Sequence, residues 1–263
     1  MRWLKLTIAY DGSAYAGWQV QAGQPTIQQT FERTWRQITG ESLRAIASGR
    51  TDSGVHALGQ VVSLCTASDL SRNVLRRALN AELPEDIVVH AVEEAPAGFH
   101  AVRDAVKKRY RYLIHDDPVR PLFRRNYVWR WRIRLDERAM HRAAQTLLGR
   151  HDFVSFQSAG EERLTTIRTI TEIAVVRGRE GRMQEIAIDV EADGFLYNMV
   201  RTIVGTLCEV GRGARPETWP LEVLRSASRP AAGPTAPSLG LFLVQVDYES
   251  DRPQADEIAA ADP

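Results

Sequence analysis

The chain has 263 residues, a formal net charge of +1, 44% apolar residues and 25% charged residues. These are the proportions of an ordinary globular protein of one large domain or two compact halves, and the whole-chain charge does not announce a nucleic-acid binder. No run of about 18 apolar residues occurs, so no membrane span is expected.

The opening MRWLKLTIAYDG reads as a strand over 3–10 and is too polar for a signal peptide. Thr26 to Ile38 follows as a helix: Ile27, Phe31, Trp35 and Ile38 keep helical spacing, Thr26 and Gln29 form a capping-box pattern, and Gly40 ends it. Apolar runs at 43–47 and 61–65 predict two strands, with Arg44 pointing outward. Ser71 caps a short helix to Ala81, and 87–91 is a further strand. A second half starts near residue 105. It holds a strand over 110–114 and a helix capped by Asp136 and stopped by Gly149. Paired strands at 167–177 and 184–190 precede an amphipathic helix over 195–210 and a closing strand over 241–246. Residues 230–237 read as a turn-rich loop, and 249–263 as a flexible tail. Strands with few crossover helices predict an α+β fold. It has two similar α/β halves, 1–104 and 105–248, around a shared, mainly antiparallel sheet.

Cys65 and Cys208 are the two cysteines, both in apolar patterns and without CxxC spacing. Free thiols of a reducing cytoplasm are expected, and no metal site. No GxxxxGK[ST] or GxGxxG motif argues for a nucleotide cofactor. From Arg103 to Arg134 eleven Lys or Arg face three Asp, interleaved with Tyr and Trp. That local excess can make a positive surface on a nearly neutral protein, or simply a pair of strands with solvated charges.

Chemistry concentrates in SGRTDSGVHALGQVV, residues 48–62. Arg50 and Asp52 lie in a polar loop between two predicted strands, with Gly49 and Gly54 as its turn residues. Arg201 lies at the edge of the apolar stripe of its helix, one turn before Gly205, whose missing side chain leaves room for a neighbour. A half-buried guanidinium needs a carboxylate, and Asp52 is the attractive partner. Tyr110 and Tyr112 share one face of a strand with the neighbouring arginines on the other. Tyr110, in a basic setting, can stack on a base. His56 invites a catalytic role but reads better as a hydrogen-bonded support of the loop. Asp193 reads as the cap of the 195–210 helix.

Taken together, YDGSAYAGWQVQ at 10–21, GRTDSGVHALGQV at 49–61, KRYRY at 108–112, GFLYNMVR at 194–201 and AGPTAPSLGLFLVQVDY at 232–248 resemble the TruA-type tRNA pseudouridine synthases. These motifs follow the family's order and span most of the chain; Ser13 replaces the usual Thr. The resemblance implies the pseudouridine synthase fold with a central cleft, and a homodimer whose tRNA touches both subunits. It implies uridines 38 to 40 of the anticodon stem-loop as substrate and no external cofactor. It also implies Asp52 as essential carboxylate, Arg201 beside it keeping it ionised, and Tyr110 stacked on a flipped uracil. Arg50 would fill the vacated space, and His56, Lys108 and Arg109 would join the substrate-binding set. The basic segment would become a phosphate track.

Three rival readings remain. A non-catalytic RNA-binding protein would have lost the carboxylate. A glycosidase would need a second carboxylate near the first. A synthase acting at another RNA position differs in shape recognition rather than in its loop.

Overall fold

The computed structural model describes residues 1–158 and 165–249; beyond Glu249 the expected tail lies outside the described residues. In chain order the elements are β1 (Arg2–Tyr10), α1 (Ile27–Thr39), β2 (Ile46–Ala47), β3 (His56–Thr66), α2 (Arg72–Glu82), β4 (Ile87–Ala95) and β5 (Ala105–His115). Then come β6 (Trp129–Arg130), α3 (Glu137–Gln145), β7 (Gly149–Asp152), β8 (Ile167–Arg177), β9 (Glu185–Ala192), α4 (Met199–Gly211), α5 (Trp219–Ser226) and β10 (Leu241–Tyr248). One sheet runs β4-β1-β3-β10-β5-β9-β8-β7, with β2 added to β3 and β6 to β5. All pairings are antiparallel except β10 with β3 and β6 with β5. This is the α+β class expected from the sequence. Among the described residues no helix is long and apolar enough to cross a membrane.

The helices form where cap and stripe coincide. The Thr26 side chain accepts from the Gln29 amide, Gly40 closes α1 at φ 74°, and Ile27, Phe31 and Trp35 are fully buried between them. Ser71 accepts from Val74 at the start of α2, and Asp136 from Arg138 and Ala139 at the start of α3. Two apolar cores result. One gathers α1 and α2 on β1, β3 and β4; the other gathers α3, α4 and α5 on β5, β8 and β9. The last strand serves both: Leu241 enters the second core, whereas Leu243, Val246 and Tyr248 enter the first.

The two halves meet where β10 pairs in parallel with β3, at Phe242 with His56 and Leu243 with Ala57. His56 is fully buried at this seam. Its Nδ1 lies 3.1 Å from both the Gly12 amide and Asp11 Oδ1, and its Nε2 faces the carbonyls of Asn126 and Leu239 at 3.2 and 3.1 Å, two acceptors that favour a proton on Nε2. The ring stacks on Phe242 with centroids 4.7 Å apart. Tyr127 packs beside it and donates to Asp11 at 2.6 Å. One imidazole thus ties together the first turn, the 116–128 loop and the entry to β10.

A strap over 232–237 crosses α4. A Cβ at Gly205 would stand 1.7 Å from the Pro234 carbonyl oxygen, so helix and strap touch backbone to backbone. Gly233 donates to Thr206 Oγ1 at 3.0 Å and Arg229 holds Gly233 and Thr235 from the side. The room foreseen beside Gly205 is occupied by main chain.

Two outcomes follow from these contacts. Gly205→Ala is expected to cost about 1–3 kcal/mol, because neither backbone can step aside; an unchanged urea midpoint would show that the strap does not sit on the helix. Burial holds the His56 imidazole below its ordinary pKa, against the opposing pull of Asp11. The unfolded chain therefore binds the extra proton first, and stability present at neutral pH is lost as pH falls below about 6.5. Urea titrations at several pH values should show wild type losing more stability across that window than His56→Gln; equal losses would contradict the assignment.

Candidate active site

The loop over 48–55 is held from below by a buried polar knot. Ser48 Oγ donates to Gln60 Oε1 at 2.7 Å, and Gln60 Nε2 donates to the Gly49 carbonyl at 2.9 Å. Thr51 Oγ1 lies 2.8 Å from the Tyr10 hydroxyl. Burial pushes the Tyr10 hydroxyl up to about 12, so it stays protonated and available to the knot. Trp18 donates its amide to the Thr51 carbonyl at 3.0 Å, and Gly17, at φ 92°, lets that segment lie against the loop. A Cβ on Gly17 would meet the Thr51 oxygen at 2.4 Å. The turn closes with Val55 donating to the Asp52 carbonyl and Gly54 at φ 74°.

Asp52 emerges from this turn half-exposed, facing an open cleft of about 1150 Å³. The volume exceeds the ordinary range of small-molecule pockets, about 300–1,000 Å³, and leaves room for a nucleotide with its neighbours. Opposite stands Arg201, with Nη1 at 3.4 Å from Asp52 Oδ2. Its Nε donates to the Ala236 carbonyl at 2.7 Å and its Nη1 to Asn198 Oδ1 at 2.7 Å. The two groups that the sequence suggested as partners are brought together from different halves of the chain.

Tyr110, on β5, lines the same cleft, its ring edge-on to Phe195 with centroids 4.9 Å apart. Burial first, then the nearby Tyr10 and Asp52, hold its hydroxyl above the ordinary tyrosine value, so it is neutral at physiological pH. Arg50 is exposed at the cleft rim, and Lys108 lies on the cleft wall with Nζ 2.5 Å from the Ser48 carbonyl. Arg109 is elsewhere. It projects from the opposite face of the sheet and pairs with Glu191 and Glu172, each at 2.8 Å. The alternation of side chains along a strand requires this, since Lys108 and Tyr110 already face the cleft. His56 is likewise absent from the cleft wall, being locked in the seam beneath.

The basic segment is neutralised along much of its length. Lys107, Arg109 and Arg111 meet Glu191 and Asp189 on β9, and Arg124 meets Glu185 at 2.6 Å. Neighbouring charges hold the Glu191 carboxyl down at about 2, with Lys107, Arg109 and Thr171 bonding it against the opposing effect of burial. Among the described residues, the cleft is lined by Arg44, Arg50, Lys108, Arg168 and Arg201 together with Asp52 and Asp193. Arg44 and Arg168 were missed as site residues. The outward turn of Arg44 in its apolar run was a usable signal, whereas Arg168 sits in a strand whose neighbours give none.

Asp193 does not cap α4. Its Oδ1 accepts from the Thr169 amide at 2.9 Å, joining β8 to the end of β9. The helix begins at Met199 rather than 195, because Asn198 adopts the left-handed conformation at φ 61°. The 195–198 turn is thereby free to bring Phe195 over Tyr110.

Comparison with known proteins shows the family of the chain. A family model described as tRNA pseudouridine synthase matches residues 6–103 and 143–249. The tRNA pseudouridine synthase A of Brevibacillus brevis is 44% identical over 94% of this chain and 100% of its own length. That of Acetivibrio thermocellus is also 44% identical, over 94% and 100%. The Blochmanniella pennsylvanica protein of the same name is 43% identical over 95% of each chain. With matches of this extent covering both the Asp52 loop and the Arg201 helix, the chain belongs to the tRNA pseudouridine synthase family.

Proposed function

We propose that this enzyme isomerises uridine to pseudouridine at positions 38, 39 and 40 of the tRNA anticodon stem-loop, with Asp52 as the essential carboxylate. The observation that carries the reading is the convergence of Asp52, Arg201 and Tyr110 on one open, cation-rimmed cleft. A paired uridine must leave its stack before a side chain can reach its glycosidic bond, at a cost of a few kcal/mol. Tyr110 offers the flipped uracil an aromatic face at the floor of the cleft, and exposed Arg50 is placed to occupy the gap left in the stem.

The reaction cleaves N1–C1′, turns the uracil and joins C5 to C1′; C5 then gives up its proton and N1 takes one up, so the product is an isomer of the substrate. Asp52 serves this chemistry either by attack on C1′ or by removal of a sugar proton, and both routes need it ionised. Arg201, across 3.4 Å, favours the charged form and limits the carboxylate's rotation. Arg44, Lys108 and Arg168 supply sequence-independent phosphate contacts that position the stem. We also infer a homodimer sharing one tRNA, consistent with the bare Val119, Leu122 and Phe123 side chains on the 116–128 loop, and a cytoplasmic setting, consistent with free Cys65 and Cys208.

Four measurements test the reading. Incubation with unmodified tRNA followed by mapping of new pseudouridines should find them at positions 38 to 40; modification elsewhere would assign the chain to another RNA site. In single-turnover assays Asp52→Asn should abolish product with tRNA affinity nearly unchanged, whereas near-wild-type turnover would remove Asp52 from the mechanism. Arg201→Met should lower the rate by at least about 100-fold and move the acid limb of the pH–rate profile upward; an unmoved limb would mean that the pair is not coupled. Sedimentation equilibrium should report a two-chain mass, and a one-chain mass at working concentration would withdraw the shared-tRNA inference.

A further inference from the structure

We infer that Asn198 is a positioning residue that holds Arg201 at a standoff from Asp52, so that the carboxylate is steered by the guanidinium without being clamped to it. This rests on the assignment of Asp52 and Arg201 made above.

The backbone gives the first reason. Among the described residues only Asn198 and Ala227 are non-glycine with positive φ. Asn tolerates the left-handed region better than most residues, but the conformation is still uncommon and calls for a local cause. Asn198 precedes α4 as its N-cap, where an Asn ordinarily takes extended backbone and bonds the amides of the first turn. Here it makes no side-chain cap bond. Its amide group is turned away from the helix amides instead. Asn198 Nδ2 donates to Ser158 Oγ at 3.1 Å, and Oδ1 accepts from Arg201 Nη1 at 2.7 Å. A helix start has given up its cap to hold an arginine three residues on, the spacing that places two side chains on one helix face.

The distances give the second reason. A fully formed bond between a guanidinium and a carboxylate is about 2.7–2.9 Å long. Arg201 reaches that range only with neutral acceptors, Asn198 Oδ1 and the Ala236 carbonyl, both at 2.7 Å, while Asp52 stands at 3.4 Å. The same Nη1 serves Asn198 and Asp52, so its place between them is set by the tighter of the two bonds. Asn198 is itself anchored to Ser158, whose amide donates to the Tyr197 carbonyl at 3.1 Å. The Ala236 side of the guanidinium is anchored by the strap, since Ala236 also donates to the Arg201 carbonyl at 3.1 Å. Arg201 is therefore bracketed by two fixed acceptors that do not belong to the reacting pair.

The bracket predicts opposite consequences for two substitutions. Asn198→Gly keeps the left-handed backbone at no steric cost and removes the acceptor. Arg201 then closes on Asp52, and the acid limb of the single-turnover pH–rate profile moves to lower pH. Asn198→Asp keeps the shape and adds a competing negative charge. Arg201 is held more firmly away, and the acid limb moves to higher pH. In both, the plateau rate falls by at least about tenfold, with tRNA affinity changed less than about threefold and a thermal midpoint near that of wild type. The other charged or titratable groups sharing the cleft with Asp52 are the same in all variants: Arg50 on its own loop, Arg44 by β2, Tyr110 and Lys108 on β5, Arg168 on β8, Asp193 after β9, Tyr197 before α4 and Arg201 itself. Shifts of opposite sign support the standoff. Limbs that stay put while both plateaus fall would reduce Asn198 to a structural support of the turn before α4, and wild-type plateaus in both variants would remove it from the site altogether. Asp52→Asn runs in the same series: if it retains turnover, the underlying assignment has failed; if it is inactive while the Asn198 variants are unchanged, only the present inference has.

Discussion

The 3.4 Å gap between Asp52 and Arg201 is the distance on which the rest of the architecture bears. Neither group depends on the other for its position. The aspartate is aimed by a turn whose carbonyls and hydroxyls are bonded to Gln60, Tyr10 and Trp18, all on the first half. The arginine is aimed by Asn198 and by the strap at Ala236, on the second. Both are therefore arranged before any substrate arrives, which avoids reorganisation at the moment of reaction. The seam between the halves needs only two paired residues of β3 and β10 because His56 and its carbonyl partners lock it alongside.

Charge is distributed by the same logic. A count along the chain locates the positive excess at 103–134, yet strand alternation sends Lys107, Arg109 and Arg111 to the side of the sheet where Glu191 and Asp189 wait. Those side chains are half-buried and paired with acidic neighbours, so their charge is largely met on that face of the sheet. The cleft obtains its cations from residues far apart in sequence, Arg44, Lys108 and Arg168. Linear charge density and surface potential are separate quantities whenever a sheet can fold one basic strand against an acidic neighbour.

Much of the local structure could be read from the chain. Thr26, Ser71 and Asp136 cap the helices they were expected to cap, and most strand runs fall where expected, although the 43–47 run is strand only at Ile46–Ala47. The loop around Asp52 and its pairing with Arg201 were legible because a half-buried guanidinium demands a partner. Other features were not. Helix α5 begins with Trp219-Pro220 and has too few turns to show a period. Strand β7, Gly149–Asp152, is mostly polar. The start of α4 depends on one residue with positive φ, which no hydrophobic pattern reports. Asp193 looked like a cap because helix starts favour aspartate, but a strand-end amide from Thr169 claimed it first. Arg109 stood in the right motif on the wrong face.

The last strand explains why the site belongs to the whole chain. β10 lies between β3 and β5, and its side chains complete both cores. The strap that seats Arg201 leads directly into it, and the Leu239 carbonyl at its entry receives His56 beneath the Asp52 loop. Until β10 inserts, Arg201 lacks the Ala236 acceptor and the halves lack their seam. Such pairing is among the most non-local in the molecule, since His56 and Phe242 are joined across nearly the full chain; loop closure on that scale is costly and slow to form. Assembly of the carboxylate–guanidinium pair is thus coupled to the step that closes the sheet.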